Sequence, residues 1–99
     1  TMVRVMLICN AGMSTAMLAQ KINKYSDGYC YVEAFGEGEF EEHIEDFDIV
    51  LVGPQIRHLI PSIKKVVNNR IPVSYINPVD YGMMKVDHVI AQIKGILEG

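Results

Sequence analysis

Four short apolar runs punctuate the 99-residue chain, separated by segments whose apolar residues recur at helical spacing. The first, Val3-Arg4-Val5-Met6-Leu7-Ile8, is apolar almost without a break, as a strand covered on both faces is. The second covers residues 29–35 and is rich in aromatic and β-branched side chains. Asp48-Ile49-Val50-Leu51-Val52 is the third. Pro72-Val73-Ser74-Tyr75-Ile76 is the fourth, with its proline at the start, where strands tolerate one. Strand and helix alternating four times predict an α/β fold: a four-stranded parallel sheet flanked by helices, with right-handed crossovers.

The connecting segments supply the helices. After Asn10-Ala11-Gly12, Leu18, Ile22 and Tyr25 share a helical face, with Ser14 as the expected N-cap and Gly28 beyond the end. Residues 36–38 break the chain, and Phe40, Ile44 and Phe47 predict a short helix. Ile56, Leu59, Ile60, Ile63, Val66 and Val67 predict another, with Pro61 in its first turn. Asn77-Pro78 is expected to open a loop that runs through Gly82. The last helix is the clearest, with Val86, Val89, Ile90, Ile93 and Leu97 in one stripe opposite Lys85, Gln92 and Glu98.

Composition narrows the class. A chain of this length reads as one domain, residues 1–99, and an apolar share of 49% suffices for one core. A net charge of −3 argues against a nucleic-acid binder. No apolar run approaches the ~20 residues of a membrane span, and Thr1-Met2-Val3-Arg4 lacks a signal-peptide layout. Met2 reads as the natural start. Cys9 and Cys30 form neither a disulfide framework nor a metal cluster, and nothing calls for a cofactor. The expectation is a cytosolic domain, monomeric because no apolar helix face is left over.

Parallel sheets bind ligands at the carboxyl ends of their strands, where strand order reverses. Three segments reach that edge: residues 9–15, Gly53-Pro54-Gln55, and residues 77–82. The first is the most informative. Cys9-Asn10-Ala11-Gly12-Met13-Ser14-Thr15 joins a buried strand directly to a helix, and the N–H groups of such a turn have no internal partner. They favour negative charge, so they suit a Cys9 thiolate and a phosphoryl group bound to it. Ser14 and Thr15 add hydroxyls. Position alone does not separate this from a structural cysteine at a strand end.

Other signals are weaker. Cys30 has no such loop and reads as core. His43, His58 and His88 are scattered, and only His58 lies near the strand-end edge. Gly36-Glu37-Gly38 is a turn, lacking the third glycine of a nucleotide-binding loop, and no dinucleotide fingerprint supports a non-catalytic flavodoxin-like binding domain. Residues 33–48 concentrate acidic side chains, which read as a solvated face with a steering role in docking as the alternative.

Taken with Val52-Gly53-Pro54-Gln55-Ile56 and Asp80-Tyr81-Gly82, the cysteine loop resembles the IIB component of the lactose/cellobiose family of the bacterial phosphoenolpyruvate-dependent sugar phosphotransferase system. The resemblance runs along essentially the whole chain. It implies the fold of low-molecular-weight protein tyrosine phosphatases and a cysteine, matching Cys9, that takes a phosphoryl group from a phosphohistidine of the IIA component. That group then passes to a sugar held by the membrane-embedded IIC component. It further implies that residues Asn10, Ala11, Gly12, Met13, Ser14 and Thr15 cradle the phosphoryl group, with Pro54, Gln55, His58 and Tyr81 on the rim that partners touch.

A phosphatase is the alternative that the shared fold raises. Such enzymes place an arginine six residues after the cysteine, and here that residue is Thr15. They also use an Asp-Pro pair after the last strand as general acid, and here the pair is Asn77-Pro78, which cannot protonate a leaving oxygen. Asp80, three residues on, is the remaining acid. Ala16 stands where many family members have a hydroxyl residue.

Overall fold

In the computed structural model, residues 2–10 and 13–98 are described, the side chain of Met13 excepted. Four strands, β1 (Val3–Ile8), β2 (Cys30–Phe35), β3 (Ile49–Val52) and β4 (Val73–Tyr75), form one sheet in the order β2-β1-β3-β4. Every neighbouring pair is parallel. The helices are α1 (Met13–Tyr25), α2 (Ile60–Val67), α3 (Pro78–Gly82) and α4 (Val86–Glu98).

Alternation along the central strands builds two cores. Val5 and Leu7 of β1, with Ile49 and Leu51 of β3, face Leu18 and Ile22 of α1 and Val89 and Ile93 of α4. Met6 and Ile8, with Val50 and Val52, face the opposite way, onto Ile63 and Val67 of α2 and onto Phe40, Ile44 and Phe47. A strand covered on both faces needs apolar residues at every position, which is why these two runs have no polar alternation.

Four local expectations change. Tyr25 is 59% exposed and does not join the α1 stripe; the Lys24 ammonium lies 5.4 Å from its ring centre instead. Ser14 lies one residue inside α1 rather than at its cap. The segment around Phe40 is a 3₁₀ helix, Phe40–Asp46. Another 3₁₀ helix, Pro54–Leu59, precedes α2, and Ile56 at φ −123°, ψ 23° breaks the single helix that the apolar spacing suggested. Pro61 does sit in the first turn of α2, where its missing N–H costs nothing.

The expected loop through Gly82 is also a helix. Asn77 caps α3 by accepting the Val79 N–H at 2.8 Å, and Pro78 occupies its first turn. Asparagine followed by proline is a helix-start signal as well as a loop signal. In this chain the cap prevails, and it turns Tyr81 inward, 8% exposed.

Candidate functional site

The two central strands end side by side. Ile8 pairs with Val52, and the Gly53 N–H donates to the Ile8 carbonyl at 2.8 Å. From β1 the chain crosses to β2 on one side and then to β3 on the other, so strand order reverses between β1 and β3. Cys9 leaves β1 at this switch point, held by its N–H to the Phe35 carbonyl at 3.0 Å.

The Cys9 side chain is buried, 4% exposed, among oxygens. Its sulfur lies 3.7 Å from Asn10 Oδ1, 3.8 Å from Gln55 Oε1 and 3.8 Å from Tyr81 Oη. The Tyr81 hydroxyl is in turn 2.7 Å from the buried Thr15 Oγ1. Burial pushes the Tyr81 phenol above its ordinary pKa near 10.0.

Gly53 packs against the same sulfur. A Cβ there would stand 3.1 Å from the Cys9 sulfur and 3.1 Å from Gln55 Oε1. Its backbone, φ −60° and ψ 146°, is open to any residue, so space rather than conformation favours glycine. Sequence reading placed Gly53 only as a strand end. Its closeness to Cys9 follows from the register of two strands more than forty residues apart, which no local pattern carries.

Of the residues expected at the site, Cys9, Asn10, Thr15, Gln55 and Tyr81 come together. Ala11 and Gly12 lie outside the described residues, as does the side chain of Met13. Ser14 is exposed in the first turn of α1. Pro54 is half-buried and His58 exposed, both on the 3₁₀ segment that follows Gly53. Tyr81, expected on the rim, is buried beside Cys9, with its hydroxyl 3.8 Å from the sulfur. Thr15, expected to offer its hydroxyl to a ligand, already shares it with Tyr81.

Asp80, His88 and His43 are engaged away from the cysteine. Asp80 Oδ1 is 2.9 Å from His88 Nδ1, so the acid that stood in for the missing phosphatase aspartate is tied to α4. The closer partner of His88 is thus Asp80 rather than the adjacent Asp87, which is 4.0 Å from Nε2. His43 stacks on Phe35 with ring centres 4.9 Å apart. Among the described residues, no three His, Cys, Asp or Glu side chains are grouped to hold a metal ion.

A four-stranded parallel sheet covered on both faces, with a buried thiol at its switch point, defines a doubly wound α/β protein. Within that class it belongs to the family described as the PTS system, Lactose/Cellobiose specific IIB subunit, which it matches over residues 4–92. It is 31% identical over 86 residues to the oligo-beta-mannoside-specific EIIB component of Bacillus subtilis (strain 168), covering 83% of this chain and 84% of that one. It is 30% identical over 100 residues to the cellobiose-specific EIIB component of Lactococcus lactis subsp. lactis (strain IL1403), covering 92% and 93%.

Two solved structures agree. The cellobiose-specific IIB component from Borrelia burgdorferi superimposes with a TM-score of 0.73 at 35% identity, covering 92% of this chain and 87% of that one. The lactose-specific IIB domain from Streptococcus pneumoniae gives 0.85 at 14% identity, covering 98% and 99%, a likeness of fold. The chain is therefore a sugar phosphotransferase component of the phosphotransferase system. No helix among the described residues is long and apolar enough to cross a membrane.

Proposed function

We propose that Cys9 is the phosphoryl-carrying residue, and that the chain acts as a single cytoplasmic, monomeric domain between a soluble IIA donor and a membrane IIC acceptor. The observation that carries this reading is the place of the Cys9 sulfur: buried at the switch point, just past the end of β1.

The thiolate attacks phosphorus of a phosphohistidine on IIA. The S–P bond forms as the P–N bond breaks, and the electron pair leaves on the imidazole nitrogen. Backbone N–H groups of residues 10–15 and the start of α1 hold the phosphoryl oxygens, with the Ser14 hydroxyl assisting. In the second step a sugar hydroxyl held by IIC attacks the same phosphorus. The S–P bond breaks, its electron pair stays on sulfur, and a base on IIC takes the hydroxyl proton. Such transfers rely on positioning and charge stabilisation more than on protein acid–base chemistry. The sugar is a β-linked disaccharide such as cellobiose, chitobiose or lactose.

The same geometry favours a carrier over a hydrolase. Thr15 stands at the arginine position and is committed to Tyr81, while Asp80 is held by His88. A carrier benefits from lacking both groups, because its phosphocysteine must survive until the acceptor docks.

Intact-mass measurement after incubation with enzyme I, the phosphocarrier protein HPr, phosphoenolpyruvate and a cognate IIA tests the reading. One phosphoryl group should appear on the wild type, depend on IIA and be absent from a folded Cys9→Ser. Hydrolysis of an aryl phosphate at Cys9 with no adduct would instead establish a phosphatase. A folded protein that does neither with an active donor chain would leave Cys9 a structural residue.

A further inference from the structure

The Cys9 sulfur has one proton as a thiol and three oxygens around it, those of Asn10, Gln55 and Tyr81. As a thiolate it needs hydrogens instead. Asn10 and Gln55 present their carbonyl oxygens and must turn their whole amide groups over to offer one. Tyr81 needs only to rotate its O–H about the C–O bond, with the buried ring unmoved. Its oxygen keeps a partner either way, because Thr15 Oγ1, 2.7 Å away, both donates and accepts.

We infer that Tyr81 is a catalytic residue of the phosphoryl relay: its O–H points to Thr15 while Cys9 is a thiol and turns to donate to Sγ when the sulfur carries negative charge. The inference rests on Cys9 being the carrier. No proton is transferred. The hydrogen bond stabilises the thiolate before it attacks the donor's phosphorus, and again as the S–P bond breaks toward the sugar and the electron pair returns to sulfur. A hydrogen bond to a charged group in a buried site is stronger than one between neutral partners, so the contact strengthens as charge develops on sulfur. Among the described residues Tyr81 is the sole titratable side chain hydrogen-bonded to Sγ, and a phenol carries its donor hydrogen at neutral pH.

The pH profile of Cys9 alkylation by iodoacetamide tests this without any partner protein, with Cys30→Ala as background to remove the second thiol. Tyr81→Phe keeps the ring and removes the hydrogen, so the alkylation midpoint should rise and the rate at neutral pH fall about tenfold, the scale of one charge-assisted hydrogen bond. Site-specific 3-fluorotyrosine at position 81 keeps the shape but makes the phenol a better donor, so the midpoint should move down. This second variant decides the matter if Tyr81→Phe does not fold. Profiles that stay unmoved, or that move in the opposite directions, overturn the inference. If instead the wild type takes no phosphoryl group from phosphorylated IIA, the carrier reading fails, and the alkylation result shows separately whether Tyr81 steadies the thiolate.

Discussion

Gly53 and Cys9 approach so closely that a methyl group on residue 53 would lie 3.1 Å from the cysteine sulfur. The same methyl would press on Gln55 Oε1 at the same distance, so neither neighbour yields without disturbing the other. The two strand ends are fixed by the Gly53 N–H bond to Ile8, which leaves the side chains to move. Gly53→Ala should therefore shift the sulfur. Overpacking costs roughly 1–3 kcal/mol, and removing a glycine's freedom in the unfolded chain returns about 0.4–1 kcal/mol. The expected outcome is a small net loss of stability in urea with a larger loss in the rate of phosphoryl acceptance, followed by intact mass.

Asn77 matters through Tyr81. Its side chain caps α3, the short helix that turns the tyrosine under Cys9. Asn77→Ala should cost about 1 kcal/mol, as lost N-caps do, while Asn77→Asp should keep the cap and the stability. Paired urea titrations of the two variants check this; equal losses in both would mean that the cap is not what holds α3.

Stability should fall in alkali. Burial pushes the Cys30 thiol above its ordinary 9.0. Tyr29 is pushed up to about 12, by burial first and then by Glu98, whose carboxylate accepts its hydrogen bond at 2.9 Å. Burial raises Tyr81 as well. In each case the unfolded chain loses the proton at lower pH than the native one does, so rising pH favours unfolding. The contribution is complete below about pH 8.5 and declines above it, with the Tyr29 part lost between about pH 10 and 12. Urea midpoints should be level from about pH 7 to 8.5 and drop beyond. In Tyr29→Phe the drop between about pH 10 and 12 should be shallower.

Ile93 reports on the α4 side of the core. It is fully buried against the sheet with Val89, next to Ile22 and Leu18 of α1. Ile93→Ala should cost about 2–5 kcal/mol, the range for a large aliphatic side chain removed from a packed core. Because α4 also carries His88, the partner of Asp80, thermal melts should be read beside phosphoryl acceptance. A mutant that melts early yet accepts phosphoryl normally when folded would separate core from site.

What the sequence determined is whatever depends on neighbours along the chain. The nearly unbroken apolar runs at β1 and β3 declared strands covered on both faces, and the period of α4 declared its buried stripe. The turn from β1 into α1 marked Cys9 because its meaning is local: a strand end, a glycine, and a helix start within a few residues. Tertiary structure decided the rest. Thr15 and Tyr81 are 66 residues apart and share one hydrogen bond, and Gly53 meets Cys9 only through the register of β1 on β3. Asn77 reads as a loop residue until the helix it caps packs Tyr81 inward. Local energies of a kilocalorie or so leave such choices open, and burial against distant elements closes them.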